Sequence, residues 1–323
     1  MLDLVDQHHD LHISAGSMPD EYLAAFDLPL NARIYRSSTG FAAAFFWASV
    51  RGRSALLLPP GPYPLTSTRA AVRGAASIAG TLLARAGGGP SITVGKSVRG
   101  THRAAVQIER VLFRLSNIYV ARDRRSASTL SLPVAAEPDL SLLSPPAPPQ
   151  ESRFVAISLR YDRPVAEQFL DAVVRWARES NLTPVFVTQV RRDERRHAEL
   201  AALHGAEHVA WGDRTHRQQM GAVEQAYAHS AVVVTDRLHA ALLGALGGAI
   251  PVAMTAPGKP SKIADAADGV MRIVSIEGTA DQAEVMGQLD AARAQGPMTA
   301  AMAEAADRLS SVRARVSRAL ARG

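Results

Sequence analysis

The chain has 323 residues, 47% of them hydrophobic and 20% charged, a balance that belongs to a folded globular protein and excludes a disordered one. It holds no cysteine, which excludes a disulfide framework, thiolate-bound zinc, iron–sulfur clusters and a thiol nucleophile. Lys+Arg 36 against Asp+Glu 30 gives a net charge of +6, and with 5% aromatic residues and no aromatic–basic interleaving this excess points to anionic small substrates or an anionic membrane surface, with no nucleic acid partner expected.

The start, MLDLVDQHHD, lacks the basic and apolar regions of a leader peptide, so a cytoplasmic protein is expected. Asp6, His8, His9, Asp10 and His12 are metal-ligating residue types, but a polar terminus of this kind is expected to be solvated, and no metal is assigned. Strands are expected at Ala32–Arg36, Ala55–Leu58, Ser91–Val94 and Ile118–Ala121, with helices around Phe41–Val50, Thr68–Arg85 and His102–Leu115. Val94-Gly95-Lys96-Ser97 imitates the end of a phosphate-binding P-loop, but the glycine that such a loop needs earlier is Pro90. Four prolines between Ser144 and Gln150 mark a stiff connector.

Beyond it, Phe154–Leu159, Thr183–Gln189, Glu207–Ala210, Ala231–Val234, Ile250–Met254 and Val270–Val274 read as strands separated by helices; the first helix runs from Pro164 to Ser180. Alternating strands and helices predict a parallel sheet covered on both faces. Two such halves give an α/β protein of two Rossmann-like domains with a ligand cleft between them. Domain limits are expected at 1–143, a Pro-rich linker at 144–153, 154–295 and a C-terminal helix at 296–323. Ala240 to Gly258 is uncharged, yet its glycines and prolines suit helix–turn–strand better than a spanning helix. The segment Arg191–Arg196 mixes both charge signs and reads as a solvated face. In the last helix, Leu309, Val312, Val316 and Leu320 form one face among arginines; it packs on the body or touches anionic lipid.

The most informative run is Thr235-Asp236-Arg237-Leu238-His239. It ends a strand and opens a helix, with Thr235 or Asp236 suited to cap it. Free backbone N–H groups at a helix start favour an anion, Arg237 offers a planar fork for carboxylate or phosphate, and His239 exchanges a proton near neutral pH. Lys259, Lys262 and Arg160 follow neighbouring strands and add cations at the same edge.

The run Thr235–Ala240, with Gly247-Gly248-Ala249-Ile250-Pro251 and Gly258-Lys259 after it, resembles the polysaccharide pyruvyl transferase family. Ser158-Leu159-Arg160-Tyr161-Asp162, Val120-Ala121-Arg122-Asp123 with Ser126 and Leu130, and Glu137-Pro138-Asp139-Leu140 extend the resemblance over Ser91 to Val274. The family's Asn-x-Gly-Asp and Gly-Gly-Gly elements have no counterpart, and Leu58–Pro64 forms a proline-rich loop instead. The resemblance implies a glycosyltransferase-B-like arrangement and transfer of a pyruvyl unit from phosphoenolpyruvate to a sugar, giving a ketal and phosphate. It implies Arg160, Arg237, Lys259 and Lys262 as phosphoenolpyruvate ligands, His239 as general acid, and Asp162 or Asp236 as its orienting group or as acceptor of the hydroxyl proton. On the acceptor side or in the cleft it places Lys96, Ser97, Arg122 and Asp123, with a plain solvent loop as the other reading of Gly95-Lys96-Ser97. The expected partners are phosphoenolpyruvate and a sugar or lipid-linked glycan acceptor, with no cofactor. Two rival readings are a glycosyltransferase of similar architecture using a nucleotide sugar, and a non-catalytic sugar-binding or scaffold relative.

Overall fold

In the second half of the chain the apolar runs form a six-stranded, all-parallel sheet. Its strands are β8 (Phe154–Ser158), β9 (Thr183–Val187), β10 (Glu207–Val209), β11 (Ser230–Thr235), β12 (Ile250–Thr255) and β13 (Val274–Glu277), numbered along the whole chain. They lie in the order β10-β9-β8-β11-β12-β13, so the chain winds outward from β8 to one edge and then returns to wind outward from β11 to the other. This is the doubly wound order of a Rossmann-like domain, with its reversal point between β8 and β11. The helices are α6 (Glu167–Glu179), α7 (Glu194–His204), α8 (His216–Ala228), α9 (Leu238–Leu246), α10 (Lys262–Ala267) and α11 (Gln282–Ala294).

Alternation along the strands feeds two cores. Val155, Ile157, Val232 and Val234 turn to one face and pack with Phe169, Val173 and Trp176 of α6 and with Val285 and Leu289 of α11. Ala156, Val185, Val187 and Val233 turn to the other, against Val223 and Tyr227 of α8 and Ala240 of α9. The uncharged stretch from Ala240 onward folds as helix, turn and strand, because Gly247 and Gly248 end α9 before β12 begins.

The computed structural model describes residues 4–5, 9–52, 54–131, 133–148, 150–259, 261–267, 270–271 and 273–322. Asp6 and His8 of the N-terminal cluster lie outside the described residues. The chain divides into one unit of Met1–Leu140 with Asp307–Gly323 and a second of Ser141–Ala306. The proline stretch therefore travels with the second unit, where Ala147 N donates to Leu246 O at 2.7 Å.

The first unit has β1 (His12–Ser14), α1 (Asp20–Leu23), β2 (Arg33–Tyr35), α2 (Ser38–Val50), β3 (Leu56–Leu58), β4 (Gly61–Pro64), α3 (Thr68–Ala86), β5 (Ser91–Arg99), α4 (Arg103–Leu115), β6 (Ile118–Ala121), α5 (Arg124–Leu130) and β7 (Ala135–Ala136). β1 and β2 pair in parallel, and a parallel sheet runs β3-β5-β6-β7 with β4 also on β5. The long β5 shifts register between Val94 and Lys96, at Gly95 with φ +76. Pro59 and Pro60 break the neighbouring chain at the same level, so β3 pairs with β5 before the bulge and β4 pairs after it. Gly95 thus serves a sheet bulge rather than a phosphate loop.

The last helix, α12 (Thr299–Leu320), begins in the second unit and ends in the first. Leu309, Val312, Val316 and Leu320 are all buried, and Arg308 pairs with Glu137 at 3.0 Å. Its apolar face is spent on packing, the first of the two readings given for this helix.

Candidate functional site

Of the side chains singled out from the sequence, Arg160, Asp162, Asp236 and Arg237 lie together at the carboxyl end of the second unit's sheet, at the reversal point. β8 and β11 are paired in register with Ser158 opposite Thr235, so the loops that follow them leave the sheet side by side. Thr235 Oγ1 donates to Ser158 O at 2.6 Å and accepts from Arg237 N at 2.9 Å, tying the two strand ends together. Neither Thr235 nor Asp236 caps α9. Arg237 is the N-cap, in extended conformation (φ −108), because Thr235 and Asp236 are both engaged across the strand pair.

Asp236 accepts from Arg160 N at 2.9 Å, and Arg163 Nη1 stands 3.5 Å from its Oδ2. Burial pushes the Asp236 carboxyl above the ordinary carboxylate value, against the pull of the Arg160 N–H and the Arg163 and Arg237 guanidinium groups. Its role here is to shape the loop after β8. Asp162 forms a two-pronged pair with Arg160, Nε–Oδ1 at 2.8 Å and Nη2–Oδ2 at 2.6 Å. Those hydrogen bonds lower the Asp162 carboxyl to about 2. It is ionised and occupied, which makes it a weak proton acceptor and an anchor for Arg160.

Arg237 is ion-paired with Asp193, whose side chain is fully buried. Asp193 also accepts from Tyr161 N at 3.0 Å, and Arg196 Nη1 donates to Arg160 O at 2.8 Å. Beneath them Leu159 N donates to His197 Nε2 at 3.1 Å, while His197 Nδ1 lies 3.0 Å from Thr188 Oγ1. Burial drives the His197 imidazole down to about 4, so it is neutral at physiological pH. The segment expected to be a solvated face therefore supplies the inner support of the site. Its signal is the spacing of Asp193, His197 and Ala201, all buried and one helical turn apart.

His239 is exposed in the first turn of α9, two residues after Arg237. Lys259 and Lys262 are exposed after β12, the neighbour of β11. Gly258 N donates to Glu277 Oε1 at 2.9 Å, and the Ser261 hydroxyl accepts from Ala264 N at the start of α10. The edge thus carries Arg160, Arg163 and Arg237, each paired with an aspartate, and Arg196 bonded to the carbonyls of the loop after β8, with an open imidazole and two lysines on the adjoining loops.

The four residues expected on the acceptor side behave differently. Lys96 is 2% exposed, 2.7 Å from Glu109, and its Nζ sits 3.6 Å above the Tyr63 ring. Tyr119 Oη donates to Glu109 Oε1 at 2.5 Å. Ser97 Oγ donates to the buried Asp123, which caps α5 through Ser126 N at 2.7 Å and takes Arg99 Nη1 at 2.9 Å. Burial raises the Asp123 carboxyl, but the bonds from Arg99 and Ser126 outweigh it and hold it below the ordinary value. Arg122 Nη1 donates to Asp139 at 3.2 Å. Lys96, Ser97, Arg122 and Asp123 are internal ties of the first unit, each already partnered, which corrects their assignment as ligand-facing groups. Among the described residues no group of three or more metal-ligating side chains forms a metal site, and no helix is long and apolar enough to cross a membrane.

No protein-family model and no curated protein matches the sequence. Solved structures do. UDP-GlcNAc 2-epimerase from Neisseria meningitidis bound to UDP-GlcNAc superposes with a TM-score of 0.58 at 10% identity, over 97% of this chain and 94% of that one. UDP-GlcNAc 2-epimerase from Methanocaldococcus jannaschii gives 0.52 at 8% identity, over 84% and 82%. Anabaena Alr3699/HepE in complex with UDP-glucose gives 0.50 at 12% identity, over 90% and 86%. At such identities the likeness is one of fold: the chain is an α/β protein of two Rossmann-like units, of the glycosyltransferase-B type.

Proposed function

We propose that the chain is a transferase of glycan assembly that holds a phosphate-bearing donor at the carboxyl edge of its second unit. One observation carries this reading. At the point where the strand order reverses, Arg160, Arg163 and Arg237 converge with the start of α9, beside the exposed His239. Anions are favoured there by unpaired helix N–H groups and by the positive helix end; buried Asp193 and Asp236 pre-set the Arg237 and Arg163 guanidinium groups, and the exposed Asp162 that of Arg160. A nucleotide sugar is the donor this reading takes, with glycosyl transfer as the reaction, since solved structures of similar fold include an epimerase bound to UDP-GlcNAc and a protein in complex with UDP-glucose. Arg237 and the N–H groups of α9 then hold the diphosphate that departs.

A second reading, pyruvyl transfer from phosphoenolpyruvate, has a specific observation in its favour. The Arg-Leu-His run leaves an imidazole open in the first turn of α9, where a proton donor to the methylene carbon is required. Protonation there makes the adjacent carbon electrophilic; one sugar hydroxyl adds to it and returns a proton to the imidazole, phosphate leaves with the arginines stabilising its charge, and the second hydroxyl closes the ketal, its proton passing to the phosphate.

A thermal-shift titration separates the readings. UDP, GDP, their sugar conjugates and phosphoenolpyruvate are each added to the wild type and to Arg237→Ala. A donor at 100 times its Kd stabilises by about 2.7 kcal/mol. Stabilisation by a nucleotide or its sugar, lost in Arg237→Ala, supports glycosyl transfer; stabilisation by phosphoenolpyruvate alone, lost likewise, supports pyruvyl transfer. Stabilisation that survives Arg237→Ala contradicts the site.

A further inference from the structure

The first unit carries an apolar surface that the donor site does not use. Of the fourteen large hydrophobic side chains exposed among the described residues, eleven belong to this unit. Three of them, Phe46, Trp47 and Val50, lie on α2, whose stretch from Phe41 to Val50 has no charge. One side of α2 packs inward, with Ser49 1% exposed and bonded to Ser54 at 2.6 Å. The opposite side presents Ala43, Phe46, Trp47 and Val50, spaced one helical turn apart, with Phe46 47%, Trp47 55% and Val50 60% exposed. A helix apolar all round is ordinarily buried on every side, so this one is missing a partner.

The charge around it specifies the partner. Between Asp27 and Glu109 the sequence has no acidic residue and ten Lys and Arg. Arg33, Arg51, Arg69 and Arg73 are exposed, and among the described residues none of them is ion-paired; Arg51 lies 5.9 Å from the Trp47 ring centroid. A second copy of the chain would bring this surface against its own positive charge. An anionic bilayer instead offers acyl chains for the aromatic stripe and headgroups for the arginines, with Trp at the boundary between them. We infer that α2 is a membrane-docking helix by which the first unit seats on the surface of a bilayer containing anionic lipid. This inference is independent of which donor the second unit binds.

The full chain is mixed with vesicles of phosphatidylcholine alone or with added phosphatidylglycerol, and bound protein is measured by flotation at low and high salt. Trp176 and Trp211 are 2% and 4% exposed, so a blue shift of tryptophan emission on binding reports Trp47. The wild type is expected to float with phosphatidylglycerol vesicles, to shift blue, and to release at high salt. Phe46→Ser/Trp47→Ser, both changes at solvent-facing positions, is expected to keep the wild-type melting temperature and to lose at least tenfold in partitioning. Arg33→Glu/Arg51→Glu is expected to weaken binding to anionic vesicles while retaining the fold. A wild type that stays unbound overturns the inference, and so does a Phe46→Ser/Trp47→Ser variant that binds as well as wild type. A concentration-dependent dimer that this variant dissolves, without vesicle binding, assigns the surface to a second copy instead.

Discussion

Arg237 and Asp193 form the interaction on which the geometry of the site depends most. Asp193 is fully buried and Arg237 nearly so, so removing one partner leaves a charge without compensation. Asp193→Ala is expected to destabilise by about 3–5 kcal/mol in urea unfolding and to weaken donor binding as well, because Arg237 and the Tyr161 amide lose their common acceptor. His239 is open to solvent and holds nothing in place, so His239→Ala is expected to spare stability and donor binding while turnover falls about 10²–10⁴-fold, measured as released leaving group. His197 gives the site a pH signature. Its imidazole titrates at about 4 in the fold, against 6.5 for an ordinary histidine, so below 6.5 the unfolded chain takes up a proton that the native state refuses. Stability is expected to fall by up to about 3 kcal/mol as pH drops from 6.5 to 4, with no contribution above that window. His197→Gln flattens this limb of the unfolding profile; an unchanged limb contradicts the assignment. The cations after the strands were visible in the sequence because strand ends and helix starts are marked locally. Asp193 and His197 were hidden because their burial depends on β8 and β11 lying side by side, a contact remote in sequence. Lys96 failed for the complementary reason: its partner Glu109 lies on α4, and nothing near Gly95-Lys96-Ser97 announces it.

Among the elements, α9 is the one that aims the site, and a missing side chain sets its distance from the sheet. A Cβ on Gly244 would stand 2.7 Å from Val233 Cγ2 in the middle of β11. Alanine at this position gains roughly 0.5–1 kcal/mol of helix propensity. Against a β-branched, fully buried neighbour, overpacking costs typically ~1–3 kcal/mol, so the clash wins. Gly244→Ala is expected to lower the melting temperature and to reduce donor affinity by tilting Arg237; Gly244→Ala/Val233→Ala is expected to recover part of both. The central strands were legible because buried parallel strands are short apolar runs between turn signals, and β8, β9, β11 and β12 fall within one or two residues of their expected limits. β13 was misplaced toward Val270. Met271 and Ile273 are buried ahead of the strand, whereas the strand itself, Val274–Glu277, alternates polar and apolar. β4 was missed altogether, since Gly-Pro-Tyr-Pro reads as a loop, and it exists because the edge of β5 beyond the Gly95 bulge is free to pair.

At the scale of the whole molecule, the chain builds two parallel α/β units and returns through α12 to finish the first. The apolar stripe of that last helix was evident in its sequence, but whether protein or lipid covers it was not, because periodicity reports a face and not its occupant. The converse holds for α2, which is apolar on every side while its outer stripe faces solvent. Composition and spacing are enough for the fold class, because buried parallel strands and the helices between them are marked locally. Hydrogen–deuterium exchange of the full chain, with and without each donor, locates the bound donor. Slowed exchange is expected in residues 158–163 and 235–241 with the donor that binds, and loss of that protection in Arg237→Ala. Donor-dependent protection confined to the first unit, with 158–163 and 235–241 unchanged, would contradict the proposed site.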